Sequence, residues 1–284
     1  MVEPLVVTAR PPPLTGRALD RVLDQFVAER ASATRVGRVA RWRVPICPET
    51  IGLSDELNAE VTARILQVGA AIGAPARAKG TCLANIEIVF TPAPQLLLNR
   101  VKDRLLILLG YHYASQTKAL ATVTRPIQAW WVTGTRGDAD TAGAAFLIGG
   151  VSAIGSGELA IDDAMTRSPS GSGSGVFDTS LSSEFGNVLV VIDQSRVAGA
   201  ATHTIADYAA MLVFAQDRDL GACGALPSIL DLYAGGGCDQ RRPSGLTSSD
   251  LAYLQALYST NIRVRSVVAR SELADKMRAS LTRR

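Results

Sequence analysis

Two histidines, His112 and His203, are all the imidazole this chain contains. A serine or cysteine nucleophile activated by histidine would have to use one of them. No GxSxG elbow occurs, and Gly155-Ser156-Gly157 has the wrong spacing for one. His112 lies in Tyr111-His112-Tyr113, directly after an expected helix, and reads as a helix-end residue. His203 stands just before a long apolar helix and is the better candidate base. The acids placed to work with it are Asp193, at the end of an apolar strand, and Asp207, one turn further along that helix. His203, Asp207 and Asp193 are therefore the candidate cleft residues, suited to acid–base or hydrolytic work if they converge on one another or on a common water.

Other chemistries lack their residues. Gly171, Gly173 and Gly175 do not stand between a strand and a helix, and no GxxxxGK occurs, so no phosphate-binding loop is expected. Cys47, Cys82, Cys223 and Cys238 form no CxxC and share no zinc-site spacing with the two histidines. Four cysteines allow three pairings. The simplest joins neighbours, Cys47 with Cys82 and Cys223 with Cys238. Closing the second loop would stabilise by about 3 kcal/mol in the chain-entropy model. No residue is assigned a catalytic role, and no metal or cofactor is expected.

The elements that position these residues follow from periodicity. Thr15 caps a helix striped by Leu19, Val22, Leu23, Phe26 and Val27. A strand is expected around Val39–Ile46, ended by Pro48. Ser54 starts a second helix, with Leu57, Val61, Ile65, Val68 and Ile72 at helical spacing and Gly73 as its stop. Ile86–Thr91 is a strand, and Pro92 and Pro94 lead into a helix through Leu96, Val101, Leu105 and Leu108. Ile127–Gly134 and Asn187–Asp193 are further strands, the second fully apolar. Between them, Arg136–Asp178 carries the Gly/Ser run Ser168–Gly175 and some strand-like residues, Phe146–Ile154; mobility is expected there. Thr204–Gln216 is apolar nearly all round and is expected at the centre of the fold. Thr247 caps a helix through Leu251, Leu254 and Leu257, and a polar helix over Ser271–Leu281 follows. The class expected is α/β (α+β), a mixed sheet packed on helices with a central buried helix and a C-terminal helical part. Residues 1–37 form an N-terminal extension with an amphipathic helix. Residues 38–260 form one domain, whose sheet-and-helix half is 38–200 and whose second half is 201–260, and residues 261–284 form a terminal helix.

Composition agrees with a globular chain: 47% hydrophobic and 19% charged residues over 284 positions. A net charge of +3 is too small to imply nucleic acid, and Arg35, Arg38, Arg41 and Arg43 read as the solvated side of a strand and its lead-in. Arginine supplies 25 of the 29 basic residues, the mark of a GC-rich bacterial genome. No run of about 18 apolar residues suggests a membrane span. The N-terminus lacks a basic start and an apolar h-region, and its Pro-rich opening reads as the extended start of a mature exported protein. With the cysteines, this predicts a periplasmic or secreted, disulfide-bonded protein.

The segment Leu246-Thr247-Ser248-Ser249-Asp250-Leu251-Ala252-Tyr253-Leu254-Gln255-Ala256-Leu257-Tyr258 resembles the closing helix of metzincin zinc peptidases, matrixins in particular, and Asn187–Thr260 resembles their catalytic half. In those enzymes a strand leads into a helix bearing HExxHxxGxxH, whose three histidines bind zinc and whose glutamate activates its water. Leu226-Pro227-Ser228-Ile229-Leu230-Asp231-Leu232-Tyr233 falls where such enzymes place a turn beneath the metal, without the methionine expected there. The resemblance places Ala206, Asp207, Ala210, Val213 and Gln216 at the His, Glu, His, Gly and His positions, so no zinc ligand is retained. Asp207 stands at the glutamate position; with Thr204 it also reads T-x-x-D, a near relative of the capping box. The whole chain resembles a group of uncharacterised exported proteins of alphaproteobacteria, through Pro45-Ile46-Cys47-Pro48, Thr81-Cys82-Leu83-Ala84-Asn85-Ile86, Ile127-Gln128-Ala129-Trp130-Trp131 and Ala225-Leu226-Pro227-Ser228-Ile229-Leu230, which implies localisation and not activity.

The function this implies is that of a catalytically silent zincin-like pseudo-peptidase, binding a peptide, a protein partner or an envelope component. A non-zinc hydrolase or acid–base enzyme using Asp193, His203 and Asp207 is the alternative, and a purely structural envelope role is the third reading.

Overall fold

The fully buried strand read at Asn187–Asp193 runs longer than its apolar core. In the computed structural model, which describes residues 15–34, 36–76, 82–110, 114–136, 182–217, 223–235, 238, 242–261 and 263–282, it spans Ser182–Asp193 (β5), and every residue in it is buried. Burial on both faces explains its unbroken Val188-Leu189-Val190-Val191-Ile192 run.

Three short strands lie parallel to β5 in one sheet: Ala40–Arg41 (β1), Pro48–Ile51 (β2) and Ile86–Thr91 (β3). β3 pairs with β5, β2 pairs with β3, and β1 pairs with β5 at Ser183 and Glu184. The fifth strand, Ile127–Arg136 (β4), runs antiparallel along β5. Register slips between Val132 and Thr133, where Gly186 of β5 is the extra residue. The bulge accounts for Phe185 and Val188 facing the same core despite their odd spacing.

The strand expected over Val39–Ile46 is shorter, only Ala40–Arg41, and β2 follows beyond it. Pro48 opens β2 instead of ending a strand, because a proline at a strand's first position removes no ladder donor from its interior. The backbone between the two strands is held by Asn85, whose Oδ1 accepts from Cys47 N at 2.7 Å and whose Nδ2 donates to the Pro45 carbonyl.

Helices cover both sheet faces. On one, Asp55–Ile72 (α2) and Thr202–Phe214 (α5) pack on Ile86, Ile88, Val188, Val190 and Ile192. On the other, Pro94–Arg104 (α3) and a 3-10 turn at Leu106–Leu109 cover Val89, Trp130, Val132, Leu189 and Val191. A short helix, Thr117–Leu120 (α4), leads towards β4. Ser54 accepts from Leu57 N at the start of α2, and Gly73 takes the left-handed conformation at its end, both as the sequence predicts. Gly69 permits the close approach of α2 and α5, since a Cβ there would stand 2.8 Å from Ile46 Cδ1 and 3.0 Å from Phe214 Cζ.

The first and last helices belong to the same core. Gly16–Arg30 (α1) buries Leu19, Leu23, Phe26 and Val27, while Ser266–Thr282 (α7) buries Ala269, Leu273, Ala274 and Met277. They run antiparallel, tied by Arg278 to Asp20 and by Arg270 to the Ala31 carbonyl beyond the end of α1. α7 begins five residues before the expected Ser271. Thr15 stands at the N-cap of α1, but its side chain makes no capping bond.

Both disulfides take the neighbour pairing, Cys47–Cys82 and Cys223–Cys238, with Cα atoms 6.2 and 5.6 Å apart. The second encloses a 3-10 helix at Ile229–Tyr233, which leads to Ser248–Ser259 (α6). His112 and the strand-like Phe146–Ile154 lie outside the described residues, as does nearly all of Arg136–Asp178.

Candidate functional site

α5 is the centre of the molecule. Every residue from Thr204 to Phe214 is buried, so each side chain must be satisfied by what packs on its own face. Five large apolar residues there, Ile205, Met211, Leu212, Val213 and Phe214, contribute about 1.5–3 kcal/mol each by leaving water.

The end of α5 is fixed by side chains remote in sequence. The last carbonyls of a helix lack intrahelical partners. Here Trp131 Nε1 donates to the Leu212 carbonyl at 2.8 Å, Trp42 Nε1 to that of Val213 at 2.9 Å, and the Tyr258 hydroxyl to that of Phe214 at 3.4 Å. Sheet, lead-in strand and closing helix thus each cap one carbonyl.

Asp207 faces α2. Its Oδ1 accepts from Arg64 Nε at 2.6 Å, its Oδ2 from Arg64 Nη2 at 3.0 Å, and Oδ2 also accepts from Leu246 N at 2.9 Å. Only 1% of its side chain is exposed, against 17% for Arg64. This is a bidentate, charge-assisted clamp joining α2, α5 and the lead-in to α6. The T-x-x-D pattern is therefore not a cap. Helix α5 starts two residues earlier, Ala201 is its N-cap, and Thr204 Oγ1 donates to the Ser244 carbonyl at 2.6 Å. A long-range partner has taken the carboxylate that local geometry would have aimed at the helix start.

The other sequence-predicted residues stand apart. Asp193 Oδ1 accepts from Ser195 N at 3.0 Å and from Ser195 Oγ at 2.6 Å, closing the turn after β5. His203 is exposed on the first turn of α5, and among the described residues it takes part in no hydrogen bond. No described hydrogen bond joins any two of Asp193, His203 and Asp207. Of the residues aligned with the metal motif, Ala206, Ala210 and Val213 are packed in the main core, and Gln216 lies beyond the helix with its Oε1 buried and unpartnered. Among the described residues, no three His, Cys, Asp or Glu side chains come together so as to hold a metal ion.

Beneath α5 the turn segment and closing helix form a second polar cluster, centred on Asp250. Asp250, fully buried, accepts from Ser228 Oγ at 2.6 Å, Ile229 N at 2.8 Å and Thr247 N at 3.0 Å. Ser228 and Thr247 each head a complete capping box, with Asp231 and Asp250 as the acidic members. Arg30 of α1 reaches Asp217 at 2.7 Å and Asp231 at 3.8 Å. Burial pushes the Asp250 carboxyl above its ordinary range, against the hydrogen bonds from Ser228, Thr247 and Ile229 and the field of Arg30.

A third group, unmarked by any motif, is not saturated. Tyr208 of α5 packs edge-on against Tyr233, with ring centroids 5.4 Å apart. The Tyr233 hydroxyl is buried and has no hydrogen-bond partner among the described residues. Arg125, half-buried just before β4, lies near enough to Tyr208 to act on it electrostatically, and Arg242 does the same to Tyr233. None of the described hydrogen bonds or ion pairs uses Arg125. Burial raises both phenols, so they remain neutral O–H donors. Only the position of Tyr233, at the end of the turn segment, hinted at this group in the sequence; tyrosines and lone arginines carry no spacing signature.

Comparison with protein-family models, curated proteins and solved structures yields no match to this chain.

Proposed function

We propose that the chain is a catalytically silent zincin-like protein that binds an extended peptide or the exposed strand of a protein partner. The observation that carries this reading is α5, a buried central helix after the last described strand, where no three zinc-ligand side chains come together among the described residues and whose one acid, Asp207, is already engaged by Arg64 and Leu246. The helix stops at Phe214 with Ala215 as its C-cap. Glycine favours helix ends, so the motif's glycine position fits Ala215 better than Val213. That register sets Tyr208 and Leu212 at the first two histidine positions and Ala209 at the glutamate; it too lacks a histidine.

The sheet supplies a way to bind without a metal. β4 is an antiparallel strand paired with β5 along one side, and among the described residues no strand pairs with its other side. An open edge holds an extended peptide through backbone groups alone. Two disulfides and no free cysteine among the described residues fit an oxidising compartment. The periplasm or the exterior is the location we propose.

Metal content by mass spectrometry, after equilibration with zinc and removal of the excess, tests the silent part of the reading. Far less than stoichiometric zinc is expected. Stoichiometric zinc would overturn it and bring a metallohydrolase forward. Hydrogen exchange with a panel of short extended peptides tests the binding part: slowed exchange in β4 is expected, and unchanged exchange there argues against edge pairing.

A further inference from the structure

We propose that Trp131 selects the strand added to the outer edge of β4, by taking a large apolar side chain, aromatic or β-branched, from an uncharged stretch of the peptide. This inference rests on the edge-binding reading above and goes further, by naming the side chain that is recognised and the residue that recognises it.

Alternation along β4 sets its two faces. Ile127 and Ala129 turn to the core shared with α5, while Trp130 and Val132 turn to the layer of α3. Trp131 belongs to the α5 face and packs on that core. Its partner in the ladder is Val188 of β5, which is fully buried. Its Nε1 donates to the Leu212 carbonyl of α5 at 2.8 Å, so the ring is held in place and its one polar atom is spent. Even so, Trp131 is only half-buried, whereas Trp42 and Trp130 are 1% and 4% exposed. β5 and α5 close the inner sides of the ring, which leaves its exposed part to the open edge. Its neighbours on the same face of β4, Ala129 and Thr133, are both small and leave space beside it.

A strand added to β4 brings one of its side chains to about 5 Å from that of Trp131. Aromatic and β-branched residues pair best with an aromatic one across strands, and a ring already fixed loses little freedom on contact. Charge complementarity points the same way. Positions 126–135 hold no charged residue, so a charged side chain on the added strand would lose hydration without gaining a partner. The opposite end of the sheet differs. There β2 has four residues, opens on Pro48 and carries Glu49, devices that blunt an edge. β4 has ten residues, with neither proline nor lysine among them.

The test titrates the whole chain with short, threonine-rich peptides, N-acetylated and C-amidated, that carry one central guest: Phe, Ile, Ala or Glu. Calorimetry should show the Phe and Ile guests binding about three- to tenfold tighter than Ala, and Glu weakest. Trp131→Leu should level Phe with Ala, provided thermal unfolding shows the variant folded. Acrylamide quenching of tryptophan fluorescence needs no variant. Two of the three tryptophans are buried, so quenching reports Trp131, and it should fall when the Phe peptide binds. Peptides that bind and slow exchange in β4 with no preference among guests would overturn the role of Trp131 and leave edge pairing standing. Binding that leaves quenching unchanged would overturn it too. Quenching that falls as the chain alone is concentrated would put a second copy on the edge in place of a peptide, and would overturn the proposal. Failure of every peptide to bind would overturn this inference and the edge reading together.

Discussion

The two faces of α5 treat polar groups in opposite ways. Towards α2, Asp207 and Arg64 exchange two hydrogen bonds, Leu246 N supplies a third to the carboxylate, and Gln67 accepts from Arg64 Nη1 at 2.5 Å. Towards the turn segment, Tyr208 packs on Tyr233 with ring centroids 5.4 Å apart, yet the Tyr233 hydroxyl is buried without a hydrogen-bond partner among the described residues. A buried polar cluster whose members satisfy one another is part of the structure. One that leaves a member unpartnered carries the cost of that group's lost hydration. Residue type alone points the wrong way here, because the carboxylate is the more reactive-looking group and is the one already spent.

The strongest way to break the comparison is to remove the saturated side. Asp207→Ala strands the Arg64 guanidinium at a largely buried site, and a loss of about 3–5 kcal/mol in denaturant unfolding is expected. A loss near zero would mean that the clamp is dispensable and that Asp207 is free for another role. Removing the loop closure beneath the unsaturated side comes next. Cys223→Ser with Cys238→Ser should cost about 3 kcal/mol, since the closed loop spans 15 positions.

Asp250 tests saturation by pH. Its folded pKa lies above the unfolded value, so the folded chain binds the proton more tightly. The associated stability is fully present below the unfolded pKa of about 3.9 and is lost as pH rises through the folded one. Asp250→Asn keeps one acceptor oxygen and cannot titrate. The unfolding free energy of the unaltered chain minus that of the variant should therefore fall as pH rises above about 4; a rise would show that the hydrogen bonds and Arg30 outweigh burial. The smallest effect is expected at Tyr233. Tyr233→Phe deletes an unpartnered hydroxyl, so stability should stay level or gain up to about 1 kcal/mol. A clear loss in thermal unfolding would reveal a partner for that hydroxyl and remove the contrast between the two faces.

Much of the frame was legible where the signal is local. The apolar run of β5, the period of α2 with Ser54 and Gly73 at its ends, and Thr247 as the cap of α6 all depend on residues a few positions apart. The candidate site was less so. Its acid was found and its role was not, because Arg64 lies 143 positions from Asp207. The shortening of Val39–Ile46 to β1, with β2 starting beyond it, was hidden for a similar reason, since Asn85 holds the intervening backbone from 38 positions away.

What the sequence by itself determined is which segments bury a face and, for α2, where the helix begins and ends, because hydrophobic period and caps act through neighbours along the chain. Tertiary structure alone decided which polar groups are spent. Trp131, Trp42 and Tyr258 reach the end of α5 across 81, 171 and 44 positions, and Arg64 reaches Asp207 across the α2–α5 contact. Hydrogen bonds act over about 3 Å of space whatever the separation in sequence, so the difference between a filled clamp and an unpartnered hydroxyl exists only once the helices have packed.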